Sequence, residues 1–295
     1  MKLAILGDAH LIADGDPYRH LHQRRAFFKN AWPSFQRLLG KVNDEAPDLV
    51  VFLGDLVDWF SPANIAFGLD QLSALRCEWR MTPGNHDLAA PSQGPQQRDY
   101  QTTATRDHLA YWANQGVDLS NRSLDINGTT AILLDSSLSN LADGTETWLG
   151  RALKGVTAPF IFTHVPIDTP AARDYILSVD PRRSMAKYVL SSVPHFYSRY
   201  IEDRSAQVFS AHLHFPGDLL IGRSRFHLRT MSITMDDPNR AQSTVATAAI
   251  VEAKKTPSRC ARWWWIDRYR QCRLLPWDRK AYPLAYRHLQ ISTCI

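Results

Sequence analysis

The chain has 295 residues, 44% of them hydrophobic and 21% charged. Those proportions exclude a disordered or fibrous protein, and a chain of this length buries roughly three quarters of its unfolded surface. The formal net charge of +5 belongs to the tail: from Lys254 onward ten Lys or Arg stand against two Asp, so the preceding 253 residues carry −3 and a uniformly basic nucleic-acid surface is not expected.

The predicted elements alternate in the α/β manner, short Val-, Ile-, Leu- and Phe-rich runs with longer segments of helical period. A strand over residues 3–6 leads into Gly7-Asp8-Ala9-His10 and a helix over 20–41. A strand over 48–53 leads into Gly54-Asp55-Leu56-Val57-Asp58 and a helix over 64–75. A short run ending at Met81 leads into Gly84-Asn85-His86-Asp87, and residues 90–103 read as a surface loop. A helix over 104–114, a strand over 131–134 and a helix over 145–153 follow. Strands over 160–162 and 207–209 are each closed by histidines, in Thr163-His164 and in Ala211-His212-Leu213-His214. Between those two strands, Arg173, Arg182, Arg183, His195, Tyr197 and Arg199 belong either to a lid over the strand ends or to a plain surface helix. After His214, runs at 219–221, 226–231, 244–251 and 262–266 read as strands that close a sheet in antiparallel pairs. The Trp263–Trp265 run and Trp277 read as packing on the sheet edge or against a partner subunit.

No apolar run approaches the ~20 residues that span a bilayer, and residues 1–6 are too short for a signal-peptide core. Cys77, Cys260, Cys272 and Cys294 have neither CxxC spacing nor the density of a disulfide scaffold, which together predict free thiols and a cytoplasmic location.

The chemistry sits at the strand ends, because loops that leave one edge of an α/β sheet converge on one crevice. Asp, Asn and His are oxygen and nitrogen donors for borderline and hard divalent ions, with no thiolate among them. The i, i+2 spacing of Asp8 and His10, and of His212 and His214, puts both members of each pair on one side of an extended segment. Gly7, Gly54 and Gly84 precede these groups at turns where positive φ or close approach is expected. Asp135 also ends a strand, with no motif around it, and reads as a turn residue. Arg19, His20, His22, Arg24 and Arg25 read either as substrate contacts or as a solvated helix start.

The order Asp-x-His, Gly-Asp-x-x-Asp, Gly-Asn-His-Asp, strand-end His and His-x-His resembles the signature of calcineurin-like metallophosphoesterases over roughly the first 215 residues. The resemblance is nearest to bacterial cyclic-nucleotide phosphodiesterase-like members. It implies a four-layer α/β/β/α sandwich of two mixed β-sheets flanked by helices, with residues 1–295 as a single domain and about 215–295 supplying its closing strands and basic tail. It implies a first metal on Asp8, His10 and His214, a second on Asn85, His164 and His212, and Asp55 as the bridge. Mn is favoured, and Fe, Zn or Ni also suit the donors. His86 then acts outside the metal shell as general acid or phosphate donor, Asp58 orients its imidazole, and Asp87 is structural. Ala211 departs from the family pattern, which has Gly there. The implied activity is hydrolysis of a small, nucleotide-like phosphodiester or phosphomonoester by metal-bound hydroxide. The alternatives are a DNA-repair-type nuclease, which the charge of −3 disfavours, and a non-catalytic scaffold of the same fold. An oligomer through the C-terminal part is a further expectation.

Overall fold

The computed structural model describes residues 1–20, 31–91, 99–230, 245–253 and 284–292. The first apolar runs form β1 (Lys2–Leu6), β2 (Leu49–Phe52) and β3 (Glu78–Met81), parallel neighbours in one sheet. A second sheet follows from β4 (Arg122–Ile126), β5 (Thr129–Leu134), β6 (Phe160–Thr163), β7 (Gln207–Ser210), β8 (Gly217–Ile221) and β9 (Ser224–Leu228). Its order is β4-β5-β6-β7-β9-β8, parallel from β5 to β9 with antiparallel edges. The chain then returns to the first sheet: β10 (Val245–Ala253) pairs antiparallel with β1, and β11 (Leu284–Ser292) pairs antiparallel with β10. Both sheets are therefore mixed. The expected strand at 262–266 and the tail tryptophans lie outside the described residues.

Helices fill the connections: α1 (Ala31–Asp44), α2 (Pro62–Leu72), α3 (Asn85–Leu88), α4 (Thr103–Asn114), α5 (Thr145–Ala152), α6 (Pro170–Val179), α7 (Met185–Tyr188) and α8 (Phe196–Tyr200). Two starts follow directly from sequence. Ser61 and Thr169 each accept a backbone N–H three residues on, from Asn64 and Ala172, and each is followed by a proline that needs no donor in the first turn. The first half of the helix expected at 20–41 falls largely on residues that are not described.

The layering follows from the two-residue period of each strand. Leu3 and Ile5 of β1, with Leu49 and Val51 of β2, face Leu133, Phe160, Phe162 and Phe209 of the second sheet. The alternate residues Ala4, Leu6, Val50 and Phe52 face Phe35, Leu38, Ile65 and Trp112 of the helices. On the far side Ile132, Leu134, Ile161 and Val208 meet Leu149, Phe196 and Tyr200. With both faces covered, the central strands read as mostly apolar runs, and each buried Leu, Ile or Phe contributes about 1.5–3 kcal/mol. β4 departs from that pattern because it is an edge: of Arg122-Ser-Leu-Asp-Ile only Ile126 is buried.

The two sheets touch where β1 and β7 end. A Cβ built on Gly7 would lie 2.9 Å from Ala211 Cβ and 3.1 Å from Leu53 Cβ, so the missing side chain at Gly7 makes room for the methyl of Ala211. Gly7→Ala is expected to destabilise by about 1–3 kcal/mol through overpacking. Adding Ala211→Gly is expected to recover most of that loss, read as a double-mutant cycle in urea unfolding.

Candidate metal centre

The loops after β1 and β2 run on together past the sheet. Asp8 N–H donates to Gly54 O at 2.9 Å, His10 N–H to Asp55 O at 3.0 Å and Asp58 N–H to Leu11 O at 2.9 Å. Asp87, in α3, collars the turn: its Oδ2 accepts Asp55 N–H and Gly84 N–H, each at 2.8 Å, and its Oδ1 accepts Leu56 N–H at 3.0 Å and Val57 N–H at 3.2 Å. Gly84 permits the close approach, since a Cβ there would fall within 2.7 Å of Asp55 Cγ. Of the three motif glycines only Gly54 has positive φ. Gly7 and Gly84 meet the other expectation, close approach, and left-handed backbone falls largely on the groups themselves: among the described residues eight non-glycines have positive φ, and five of them are Asp8, His10, Asp55, His212 and His214.

Those five bring their side chains to one place. Ligand-type atoms of Asp8, His10, Asp55 and His214 lie within 4.8 Å of one another, and so do those of Asp55, His164 and His212. Asp55 belongs to both groups. Its Oδ1 is fixed by His86 N–H at 2.8 Å, while its Oδ2 is buried, accepts no hydrogen bond from the described residues, and lies 3.4 Å from His164 Nε2 and 3.6 Å from His10 Nε2. Asn85 Oδ1 stands 3.3 Å from His164 Nε2, which joins it to the second group. Asp8 accepts His212 N–H at 3.1 Å, which ties the first loop to the last.

The imidazoles report what the site requires. His164 Nδ1 donates to Leu53 O at 2.7 Å and His212 Nε2 donates to Lys187 O at 2.9 Å. Those carbonyls engage His164 Nδ1 and His212 Nε2, so the other ring nitrogens, His164 Nε2 and His212 Nδ1, face each other at 3.1 Å. When both rings are neutral these are two facing lone pairs, which a proton or a metal ion relieves. His10 Nε2 and His214 Nε2 lie 2.9 Å apart. Burial pushes the Asp8 carboxyl up to about 7, with Asp55 adding to the effect and His164 opposing it. Burial lowers His164, but the Asp55 charge outweighs it and holds the imidazole up to about 9. Burial holds His212 down to about 3 and His214 well below the histidine range, the neutral form in which imidazole ligates. Buried carboxylates and an orphaned carboxylate oxygen call for cations, and oxygen and nitrogen donors around a shared carboxylate fit a pair of divalent ions.

Beside this cluster His86 stacks edge-on to His10 with ring centroids 4.7 Å apart, and its Nδ1 donates to Asp58 O at 2.6 Å. Asp58 Oδ1 lies 3.4 Å from that nitrogen and 3.3 Å from His10 Nδ1, so one buried carboxylate steadies both rings. Burial lowers His86, while Asp55 and Asp58 together raise it to about 9.

Other expectations fall elsewhere. Arg19 pairs with Asp14 at 2.8 Å, while His22, Arg24 and Arg25 lie outside the described residues. Arg173 is held by Asp168, His195 by Glu146 at 2.7 Å, and Arg182 by Asp180 at 3.0 Å. Asp135 is a loop anchor, accepting Tyr100 O–H at 2.6 Å and Ser137 O–H at 2.7 Å. Of the segment proposed to overhang the strand ends, residues 183–188 do so through Arg183, Lys187 and Tyr188. Lys187 and Tyr188 carried no sequence signal: Lys187 contributes a backbone carbonyl, and Tyr188 is one aromatic among many.

No helix among the described residues is long and apolar enough to cross a membrane. Among solved structures the chain is similar to a dimetal phosphatase from Danio rerio, with TM-score 0.54 and 11% identity over 85% of this chain and 94% of that one. It is also similar to phosphopantetheinyl hydrolase from Mycobacterium tuberculosis, with TM-score 0.45 and 13% identity over 81% and 94% of the two chains. Against a purple acid phosphatase from yellow lupin the TM-score is 0.48 and the identity 11%, covering 97% of this chain and 53% of that one. No curated protein matches. The family model described as calcineurin-like phosphoesterase matches residues 1–216, the segment that holds both loop pairs and every histidine of the cluster, and the chain belongs to that family.

Proposed function

We propose that the protein is a dinuclear-metal phosphoesterase that hydrolyses a small, nucleotide-like phosphodiester or phosphomonoester. One observation carries this reading: two Asp/His groups share Asp55, whose Oδ2 is buried and without a hydrogen-bond donor among the described residues. Asp8, His10 and His214 would hold one ion and Asn85, His164 and His212 the other, Asp55 would serve both, and Mn(II) is the favoured metal. When bound, such a pair neutralises phosphate charge and lowers the pKa of a coordinated water to about 7. The chain's own residues do the rest. Asp8 and Asp55 offset the dications so that the site keeps a net attraction for one phosphate. His86 presents Nε2, because its Nδ1 is engaged with Asp58 O, and gives a proton to the leaving oxygen. Asp58 keeps that ring from rotating. The preference for nucleotides rests on the resemblance of the motif set to cyclic-nucleotide phosphodiesterase-like members.

Asp55→Asn is expected to bind less than the wild-type complement of metal, measured by inductively coupled plasma mass spectrometry, and to lose activity by roughly 10³-fold, the several kcal/mol that metal-assisted charge stabilisation supplies. Normal metal content with normal turnover would remove Asp55 from the bridge. His86→Ala is expected to keep both ions and to slow cleavage of an alkyl phosphodiester by about 10²–10⁴-fold. With bis-p-nitrophenyl phosphate, whose leaving group departs without a proton, the defect is expected to shrink. An equal loss on both substrates assigns His86 to phosphate binding, and a missing ion makes it a ligand. A wild-type protein that hydrolyses none of these esters when metal-loaded would leave the scaffold reading.

A further inference from the structure

His212 and His214 both sit in left-handed backbone, with φ of 70° and 60°, on a loop whose internal bond is a tight one from Leu213 N–H to Ala211 O at 2.8 Å. Such a turn does not hold itself, since a non-glycine residue in that region costs about 1–3 kcal/mol unless its surroundings over-determine it. Arg183 reaches this loop from the segment between α6 and α7. Its Nη2 donates to Leu213 O at 3.3 Å, between the two imidazoles, and its Nε pairs with Asp180 Oδ2 at 3.2 Å. The guanidinium carbon lies over the Tyr188 ring, 4.3 Å from its centroid, and the Tyr188 ring in turn sits 5.2 Å from that of His212. The side chain is only 11% exposed and Asp180 8%, so the pair is partly shielded from water.

We propose that Arg183 is a positioning residue for the His212 and His214 pair: it clamps the loop so that both imidazoles are aimed before a cation arrives. The inference rests on the dinuclear reading above. It needs the planar fork of arginine, because one group must bond a carboxylate along one edge, a carbonyl along another and a ring across its face. Lysine offers a single point charge and meets those partners one at a time. Partners that orient metal ligands typically cost about 10–100-fold in metal affinity when removed.

The test is calorimetric titration of Mn(II) into the metal-stripped full chain, with thermal unfolding of the same metal-free samples. Arg183→Met is expected to weaken Mn(II) binding by about 10–100-fold, and Arg183→Lys to recover little of it, while both melt close to the wild type without metal. Should Arg183→Met not fold, Asp180→Asn, which frees the guanidinium without removing it, is expected to weaken binding in the same direction. Unchanged Mn(II) affinity in these variants, or full recovery with lysine, overturns the proposal. So does a raised KM with unchanged metal affinity, which would make Arg183 a substrate contact. A wild-type chain that binds no Mn(II) is titrated with Zn(II), Fe(II) and Ni(II) instead, and one that binds none of the four overturns the dinuclear reading and this inference with it.

Discussion

The centre depends on left-handed backbone at residues with side chains. Asp8, His10, Asp55, His212 and His214 all adopt positive φ, where L residues lose about 1–3 kcal/mol each. That conformation turns the chain sharply enough at the end of a strand for side chains two residues apart to aim at one point. The rest of the molecule offsets the strain. The core between the sheets fixes the strand ends, and the hydrogen bonds between the first two loops hold them as one unit. The Asp87 collar takes backbone donors from both sides of the Gly54 and Gly84 turns. Asp and His are also the side chains that tolerate this region better than branched ones do.

Charge sets the second constraint. Asp8, Asp55, Asp58 and Asp87 are all buried at one edge of the sandwich, which is unfavourable for a protein with nothing positive to set against them. His164 and His86 respond by holding protons more tightly, whereas His212 and His214 stay neutral. The buried carboxylates are thus offset in part by the protons that His164 and His86 hold.

Much of this was legible before the fold. The central strands announced themselves because burial on both faces leaves few polar positions in them. The motif residues could be grouped because parallel strands deliver their C-terminal loops to one edge. What stayed hidden has physical causes. β4 has a polar edge and only one buried residue, so its alternation carries no signal. Positive φ or close approach was expected at the glycines, and Gly84 and Gly7 serve by their missing Cβ, but nothing in the sequence marked the left-handed backbone of the Asp and His residues themselves. The Lys187 contact with His212 runs through a carbonyl that any residue would supply. Arg183 could be read only as a cation in the right stretch of chain, since nothing in a sequence says which of several arginines finds a carbonyl between two histidines.

The position of β10 sets the order in which the protein can be assembled. β1 lies between β2, which follows it within about fifty residues, and β10, whose pairing joins Lys2 to Glu252. As the chain emerges from the ribosome, β1 can acquire β2 early but keeps one bare apolar edge until the strand at Val245–Ala253 has been made. The loop bearing Asp8 and His10 hangs from that strand, and its partner loop at His212 comes late as well. Nascent chains therefore hold a half-built sheet for most of synthesis, a window in which pairing with a second copy competes with closure and in which a chaperone has an exposed strand to bind.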